Sequence, residues 1–557
     1  MQDDQELARL GKKQALTRRF GFWSLFGFAV CELITWETVL ALFSEALYNG
    51  GPSGMVYGFV LAWASTLSVY TVISELASLA PIAAGQYYWA YILSPARARV
   101  FVSYLIGWLT SLAWIATVAT ESLFAGTMLQ GLLVLSYDSY VPTDWQATLL
   151  TWMVIMVSVF INTVIPTWLP RLEIATVVFH LAGFVAVLAT LWVCTPSHRD
   201  ASWVFTASRN GGGWSSLGIS YCVGFMGNVA TFVGADASVH LAEEVSHPAE
   251  TIPRVITASM LLNGVVGFVM VLAVAFCLSA DVSAVLDSST GFPFLQVFAD
   301  SLPASRAGAV VLGAVVLLLT WACANGITTS ASRMTWAFAR DSGVPFAQYI
   351  RRVHPRHHIP IIAVGVVATF ACLLSLIYIG SPTVFNDVIS LTVAGFYGSY
   401  LVPAALLLYH RVRGNILPHN AVVEAVDVPD TVTPKKEEQT TVGLENTAQE
   451  TEEETAGPNE GSNLIAYAPG QLYWGPWHLP GIWGTLNNAY ACAYMVFVIF
   501  WSAWPVATPV SPATMNYGML VTVSVLLFSL VWYVFRGRRY YRGPLVEREV
   551  LADAGVV

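Results

Sequence analysis

The stretch LGISYCVGFMGNVATFVGADASVHLAEE (residues 217–244) decides what kind of fold this chain can adopt. It is apolar and long enough to cross a bilayer, which takes about 20 helical residues. It also contains four glycines and, further along, the ionisable Asp236 and His240. Glycine weakens a helix, and an ionisable group within hydrocarbon costs a few kcal/mol. The stretch therefore predicts a broken helix that lines a cavity near mid-membrane, as in solute transporters.

The composition indicates a polytopic membrane protein. Of 557 residues, 56% are hydrophobic and only 11% are charged, whereas a soluble domain has about a quarter charged residues. The 20 Trp and 23 Tyr fit aromatic belts at two membrane interfaces. The seven cysteines have no paired spacing, and neither a CxxC nor a His-rich motif occurs. We therefore expect no disulfide framework, metal or other cofactor.

The net charge of −9 comes from one segment. Residues 420–461 hold eleven Asp and Glu and two Lys, so the rest of the chain is neutral. The segment lacks aromatic residues and is rich in Glu, Thr, Pro and Gly, which predicts disorder. It is interpreted either as a solvated linker or as a regulatory loop that docks a ubiquitin ligase. No charge run indicates a nucleic-acid partner.

Twelve apolar runs are long enough to span a bilayer. They lie at about residues 21–47, 53–77, 101–133, 146–166, 172–194, 217–241, 255–279, 308–337, 360–380, 384–409, 485–507 and 515–535. Cytoplasmic loops carry the excess of basic residues. If the N-terminus is cytoplasmic, the outer loops hold only Arg199, Arg209 and Arg306. We therefore predict twelve helices with both termini in the cytoplasm.

This pattern divides the chain into five parts. We predict a cytoplasmic N-terminal tail (1–20), a ten-helix transport core (21–412), an acidic and largely disordered cytoplasmic loop (413–475), two further helices (476–535) and a cytoplasmic C-terminal tail (536–557). The first tail is charged throughout, unlike a cleavable signal peptide. Span 1 resembles span 6 in being irregular, with Gly27 and the carboxylates Glu32, Glu37 and Glu45. Irregular spans at corresponding places in two five-helix halves predict a transport site between them.

Several stretches resemble the amino acid–polyamine–organocation permeases. They correspond to the end of span 2, span 6 with its exit loop, the end of span 8 and the entry to span 11: SELASLAPIAAGQYYWAYILSP (74–95), FVGADASVHLAEEVSHPAETIPR (232–254), SRMTWAFARDSGVP (332–345) and GPWHLPGIWGTLNNAYACAY (475–494). With TWE (35–37), they are most similar to the fungal GABA-permease and choline-permease branch. The resemblance implies an all-α fold built as a five-plus-five inverted repeat with two extra helices. It also implies substrate binding between broken helices 1 and 6, and alternating access.

The matched segment of span 6 supplies the first candidate substrate-binding residues. They are Phe232, Val233, Gly234, Ala235 and Asp236, where the resemblance implies an unwound backbone with Phe232 as an aromatic gate. Gly234 would let the backbone open and expose its N–H groups to a ligand. The alternative is a glycine packing face with Phe232 toward lipid. Asp236 is also a candidate proton carrier. The alternative is that its carboxylate only makes structural hydrogen bonds.

The end of span 6 predicts a cytoplasmic gate. Asp236, His240, Glu243 and Glu244 have the spacing of one helix face. The two glutamates would lie at the cytoplasmic exit and close it through ion pairs with Arg254 or Arg333.

Span 1 carries the prediction about substrate. Most permeases of the family have a glycine-rich string here that receives the substrate carboxylate, but CELIT (31–35) contains none. A carboxylate at Glu32 would repel an anionic group and attract a cation, assisted by Trp36 through cation–π attraction. The predicted substrate-binding residues are therefore Glu32, Leu33, Thr35 and Trp36. In the alternative, Glu32 or Glu37 faces a neighbouring helix, protonated or paired.

His180 is the main candidate for proton coupling. It lies mid-way along span 5 in TVVFHLAGF (176–184), near where some proton-coupled relatives carry a lysine. An imidazole exchanges protons near neutral pH, although a lone buried histidine is often only hydrogen-bonded. Glu121 of span 3 is a second candidate. Trp114 and Asn325 are predicted to line the pocket wall, with helix packing as the alternative.

Together these features predict a secondary active permease in a plasma membrane rather than a vacuolar one. Its substrates would be amino acids or related amines such as GABA, choline or polyamines, with H⁺ as coupling ion. The alternative is a permease-like nutrient sensor that signals through the acidic loop. An ATP-driven pump and an enzyme are not expected, because the chain has no GxxxxGK[ST] motif, nucleophile elbow or metal-ligand cluster.

Overall fold

The computed structural model describes residues 7, 12, 14–356, 358–380, 384–419, 472–512 and 514–545, with the side chains of residues 384–387 excepted. This part of the chain is mostly helical. The predicted disordered segment, 420–461, lies outside the described residues. The chain on either side of it forms a short parallel pair of strands, β1 (Ile416–Leu417) and β2 (Leu472–Tyr473).

The helices are numbered here in chain order. The first half contains α1 (Phe22–Leu33), α2 (Thr35–Tyr48), α3 (Gly51–Leu79), α4 (Gln86–Leu93), α5 (Arg99–Ser136), α6 (Asp144–Val164), α7 (Leu169–Cys194), α8 (Ala201–Thr206), α9 (Leu217–Ala230) and α10 (Ala237–His240). The second half contains α11 (Pro248–Cys277), α12 (Val282–Leu286), α13 (Pro293–Ser301), α14 (Arg306–Arg340), α15 (Ala347–Ile350), α16 (Ile361–Ser375), α17 (Ile377–Gly380), α18 (Val384–Arg413), α19 (Gly481–Ser502), α20 (Gly518–Trp532) and α21 (Arg538–Tyr540).

Eleven helical stretches among the described residues are long and apolar enough to cross a membrane. The predicted full-length sixth span, 217–241, is not one of them. In its place is α9, an apolar helix of 14 residues, followed by turns and the four-residue α10. The twelve-helix count and the inverted repeat stay predictions.

Burial separates interior helices from peripheral ones. In the first span, 94% of an 18-residue apolar segment is buried inside the protein. In the span that contains α20, the buried share of the corresponding segment is 17%. The first span therefore lies at the centre of the bundle, where its polar groups must find protein or solute partners.

The first span is interrupted at Ile34, between α1 and α2. This residue has φ 28° and ψ 51°, close to a left-handed region that β-branched residues rarely adopt. Asn263 on α11 bridges the gap, because its Oδ1 accepts from Thr35 N (3.3 Å) and its Nδ2 donates to Val30 O (3.4 Å). The broken backbone is thus satisfied within the protein, as a membrane interior requires.

The second interruption follows α9, at residues 231–236. Gly234 has φ 108°, a conformation that glycine adopts without strain. The hydroxyl of Tyr70 accepts hydrogen bonds from the N–H groups of Gly234 (3.0 Å) and Ala235 (3.1 Å). Thr35 Oγ1 donates to Thr231 O (3.3 Å), which joins the two interruptions directly.

Candidate functional site

A narrow cavity lies beside the two interruptions. Its walls come from α1, α2, α5, α9, α14 and α18, together with the turns after α1 and α9, and its volume is about 30 Å³. That volume holds about two water molecules, so a solute fits only when the surrounding helices separate. The lining residues are Glu32, Leu33, Ile34, Thr38, Leu42, Thr117, Thr120, Glu121, Phe124, Ala230, Val233, Ile327, Ile389, Thr392 and Val393.

The polar groups of this cavity are mainly hydrogen-bond acceptors. Glu32 is 3% exposed, and neither of its carboxylate oxygens has a hydrogen-bond partner among the described residues. Glu121 supplies a second carboxyl group, and no Lys, Arg or His belongs to the described lining. A buried carboxylate is costly unless a proton or a cation neutralises it. The cavity is therefore suited to a positively charged group.

Three threonines extend this preference. The hydroxyls of Thr38, Thr117 and Thr120 donate to the carbonyl four residues earlier in the chain, at 2.9, 2.7 and 2.9 Å. Each hydroxyl hydrogen is donated to a backbone carbonyl, but each hydroxyl oxygen can still accept a hydrogen bond. An ammonium group could use these acceptors, whereas a carboxylate would find few donors.

Of the predicted substrate-binding residues, Glu32, Leu33 and Val233 line the cavity. Trp36 does not, because its ring is buried against His180 and Phe184 of α7, at centroid distances of 5.9 and 6.2 Å. Its predicted cation–π contact with substrate stays a prediction, and in this conformation the ring contacts α7 instead of the cavity. Gly234 and Ala235 are also absent from the lining, since Tyr70 takes the N–H groups that were expected to face a ligand.

Phe232 is fully buried and packs against Phe59, with ring centroids 4.9 Å apart. The alternative in which it faces lipid is therefore wrong, and it lies outside the cavity lining. Asn325 also has a packing role. Its Oδ1 accepts from Asn162 Nδ2 at 3.1 Å, which ties α14 to α6.

Asp236 is surrounded by protein donors. Gln86 Nε2 donates to one carboxylate oxygen (2.6 Å) and Tyr400 OH to the other (2.5 Å). His240 lies 3.6 Å away, but Trp114 Nε1 donates to its Nε2 (2.9 Å), so its Nδ1–H donates to Ala83 O (2.9 Å). These contacts join α4, α5, α10 and α18, and they support the structural alternative for Asp236 and Trp114.

His180 forms an isolated pair with Glu37. Its Nδ1 lies 2.8 Å from Glu37 Oε1, and both side chains are fully buried. His180 Nε2 and Glu37 Oε2 have no hydrogen-bond partner in the described part of the chain. The imidazole and the carboxylate are thus within hydrogen-bond distance of each other, and each keeps one further polar atom unused among the described residues. The sequence shows that His180 and Glu37 are ionisable groups within membrane spans, but it does not indicate that the two side chains contact each other.

Comparison with known proteins assigns the family. A family model described as "Amino acid permease" matches residues 20–525. The chain belongs to the amino acid permease family. An uncharacterised amino-acid permease of Schizosaccharomyces pombe is 27% identical to it, over 99% of this chain and 91% of the relative. The choline transporter of Saccharomyces cerevisiae is 25% identical over 94% and 83%, and the GABA-specific permease of that yeast is 24% identical over 97% and 86%.

The predicted family is therefore confirmed. Family membership and the eleven candidate spans make this permease a multi-pass membrane transporter and not an enzyme.

Two buried ion pairs join residues 243 and 244 to α14 at one end of the permease. Arg333 Nε donates to Glu244 Oε1 (2.8 Å), as the sequence suggested. Glu243 pairs with Arg340, through bonds of 2.7 and 3.0 Å. The predicted contact of Arg254 with these glutamates is wrong, because Arg254 is 63% exposed and pairs with Glu250 on its own helix.

The four-residue helix face predicted from Asp236 to Glu244 is wrong as well. Only Ala237–His240 is α-helical, and a 3₁₀ turn at Ala242–Glu244 follows. This change of direction separates the acids, so that Asp236 faces α4 and α18 while the glutamates face the arginines of α14.

The described parts of both terminal tails reach the same end of the permease. Lys12 Nζ contacts Asp341 Oδ1 (2.5 Å), and Leu545 N donates to the same oxygen (2.9 Å). Tyr87 OH donates to the other oxygen at 2.7 Å. Burial lowers the pKa of the Lys12 ammonium, an effect that the neighbouring Asp341 carboxylate opposes. The amides of Arg19 and Phe20 donate to Glu244 O, so the N-terminal tail contacts the ion-paired segment directly.

The hydroxyl of Tyr70 should be essential to the second interruption. In Tyr70→Phe, two buried N–H groups lose their acceptor, and each such loss costs about 1–3 kcal/mol. We expect the thermal unfolding midpoint of the purified protein to fall by several degrees. The matched control is Tyr57→Phe on the same helix, which removes a hydroxyl from a ring that is 58% exposed. Equal midpoints for the two variants would contradict this role.

Proposed function

We propose that this permease imports a small amine-bearing cation, with protons as the coupling ion, across the plasma membrane. The observation that carries the proposal is Glu32, whose carboxylate is buried in the central cavity without a hydrogen-bond partner among the described residues. An ammonium group supplies the missing charge and can donate to the threonine oxygens around it. Two relatives, named as a choline transporter and a GABA-specific permease, support a substrate from the wider class of amino acids and amines.

Proton coupling is assigned to His180 together with Glu37. The pair lies on α2 and α7, next to Trp36 and one helical turn past the first interruption. Protonation makes it an imidazolium–carboxylate ion pair, whereas loss of the proton leaves a single negative charge in a buried place. Because the buried negative charge is costly, the deprotonated pair favours a different arrangement of α2 and α7 from the protonated pair. Asp236, the other candidate, already has a donor on each oxygen and is assigned a positioning role.

The two ion pairs of Glu243 and Glu244 are proposed as the cytoplasmic gate. They connect the end of the broken sixth segment to α14, which also forms part of the cavity wall through Ile327. Opening this end requires both glutamates to leave their arginines. In this proposal both termini are cytoplasmic, so release of the gate delivers solute to the cell interior.

Uptake into liposomes tests the proposal directly. With a pH gradient of about one unit, a symporter that moves one proton per solute can concentrate an uncharged solute inside the liposomes about tenfold. We expect accumulation of at least one compound from a panel of amino acids, GABA, choline and polyamines. In His180→Gln, concentrative uptake should disappear while exchange of labelled for unlabelled solute continues.

The matched control for that variant is His198→Gln, because His198 is exposed in the loop after α7. It should accumulate solute as the unmodified protein does. If the unmodified protein accumulates none of the panel under a proton gradient, the proposed function is wrong. If His180→Gln still accumulates solute, the assignment of the proton pair is wrong.

A further inference from the structure

A second cavity lies further along the first span, past the central one. It has a volume of about 130 Å³ and shares the wall residues Ile389 and Val393 with the central cavity. Along the chain its acidic residue, Glu45, is 13 positions beyond Glu32, or roughly 20 Å at 1.5 Å per helical residue. The tails and the ion pairs occupy the other end of the bundle. The two cavities are thus neighbours, with the second farther from that end than the first.

The second cavity has an unpaired carboxylate of its own. The Glu45 side chain has no hydrogen-bond or ion-pair partner among the residues that the structure describes. Gly227 of α9 packs closely on it, since a methyl group there would lie 2.9 Å from Glu45 Cβ and 3.3 Å from Leu42 O. No Lys, Arg or His lines this cavity in the described part of the chain.

Two indole rings form the wall on the side of α19. Trp501 and Trp504 have ring centroids 5.1 Å apart, and both line the cavity. Trp504 Nε1 is buried and has no acceptor within the part of the chain that the structure describes, so it can donate to an oxygen atom of a ligand or to water. Asn516 cannot contribute such a donor readily, because its Nδ2 already bonds Ser390 Oγ (3.0 Å) and Ser502 O (2.8 Å). Aromatic faces beside a carboxylate attract organic ammonium groups.

The size of the cavity fits the same ligand class. A cavity of about 150 Å³ admits a molecule of the size of benzene, whereas the central cavity of about 30 Å³ holds only water. In this conformation the second cavity is therefore the place where an ammonium group has both room and charge.

We propose that the second cavity is an entry site that binds the ammonium group of the solute before it passes to Glu32. Glu45 supplies the charge, and Trp501 and Trp504 supply the aromatic faces. The inference rests on the proposed function for the identity of the solute, but binding at this place can be measured without transport.

Equilibrium binding of radiolabelled tetramethylammonium to the purified full-length protein tests the proposal. The Glu32→Gln variant disables the central carboxylate, and we expect it to retain one saturable site. Adding Glu45→Gln should weaken that site at least about tenfold, as for the loss of a charge partner. Trp501→Ala in the Glu32→Gln background should weaken it roughly threefold, since a cation–π contact contributes less than an ion pair.

The matched control is Trp483→Ala, which removes a 73% exposed indole from the same helix, α19. It should leave binding unchanged. Trp501→Phe keeps an aromatic face and should restore most of the affinity, which separates lost contact from misfolding. The proposal is overturned if Glu32→Gln shows no saturable binding, if Glu45→Gln has no effect on it, or if Trp483→Ala weakens it as much as Trp501→Ala does.

Transport measurements keep this inference separate from the proposed function. Glu45→Gln should raise the KM for amine uptake about tenfold with little change in maximal rate, because the central site is intact. If no amine is transported but tetramethylammonium still binds in a Glu45-dependent way, the proposed function fails and the entry site stands. If amines are transported and neither binding nor KM depends on Glu45, only the entry site fails.

Discussion

Replacing Glu32 with glutamine should reduce uptake of a choline-like cation about 100-fold in kcat/KM, with uptake of neutral amino acids changed less than about threefold. Loss of one partner from a buried charge pair costs about 2–5 kcal/mol, and 2.7 kcal/mol corresponds to 100-fold. Glutamine keeps the size of the side chain, so the cavity keeps its shape. The measurement is initial uptake of one labelled cation and one labelled neutral amino acid into liposomes.

Two controls define what this result means. Glu250→Gln removes an exposed carboxylate that pairs with the exposed Arg254 on the same helix, and it should leave both rates unchanged. Glu121→Gln removes the other carboxyl group of the cavity and should have a smaller effect on the cation than Glu32→Gln. An equal loss of cation and neutral uptake in Glu32→Gln would show a structural role for Glu32. Unchanged uptake of both would show that it does not meet the solute.

Replacing Arg333 with methionine should open the gated end. The change leaves Glu244 buried without a partner, a situation that costs about 3–5 kcal/mol, so the closed arrangement loses more than about 100-fold in population relative to an open one. The amides of Arg19 and Phe20 donate to Glu244 O in this structure, and in the proposed opening these two hydrogen bonds break when Glu244 moves away from Arg333. We therefore expect their protection from hydrogen exchange to fall by about that factor.

Two variants separate gating from general destabilisation. Arg254→Met removes the arginine that the sequence also suggested as a gate, and it should leave the exchange of both amides unchanged because Arg254 is on the surface. Arg333→Met with Glu244→Met removes both charges, and a buried pair replaced by apolar side chains is often tolerated. Protection should then recover in large part. Equal exchange in Arg333→Met and Arg254→Met would contradict a gating role for Arg333.

The sequence located the polar positions better than it located their partners. Glu32, His180 and Glu37 were identified because a titratable group inside a membrane span is costly and therefore functional or paired. Sequence spacing could not show that His180 meets Glu37, since these residues are 143 positions apart and on different helices. Tyr70 carried no signal at all, because a tyrosine in an apolar span is ordinary.

Errors of the sequence analysis concentrate where a helix ends. The spacing rule that placed Asp236, His240, Glu243 and Glu244 on one face holds only within a continuous helix. Here α10 ends at His240, and the following 3₁₀ turn directs the glutamates toward Arg333 and Arg340. Arg340 was not among the predicted partners, because spacing along the chain does not indicate which residues meet across a bundle.

By itself the sequence determined the class of this protein, a multi-pass helical permease with irregular first and sixth segments and an acidic residue, Glu32, inside the first of them. Those properties depend on composition, on the length of apolar runs and on local motifs. The tertiary structure decided which carboxylates receive donors from the described residues and which do not. Asp236 receives protein donors from α4 and α18, whereas Glu32 faces the cavity. That difference arises because long-range packing, and not local spacing, determines where hydrogen-bond donors come to lie.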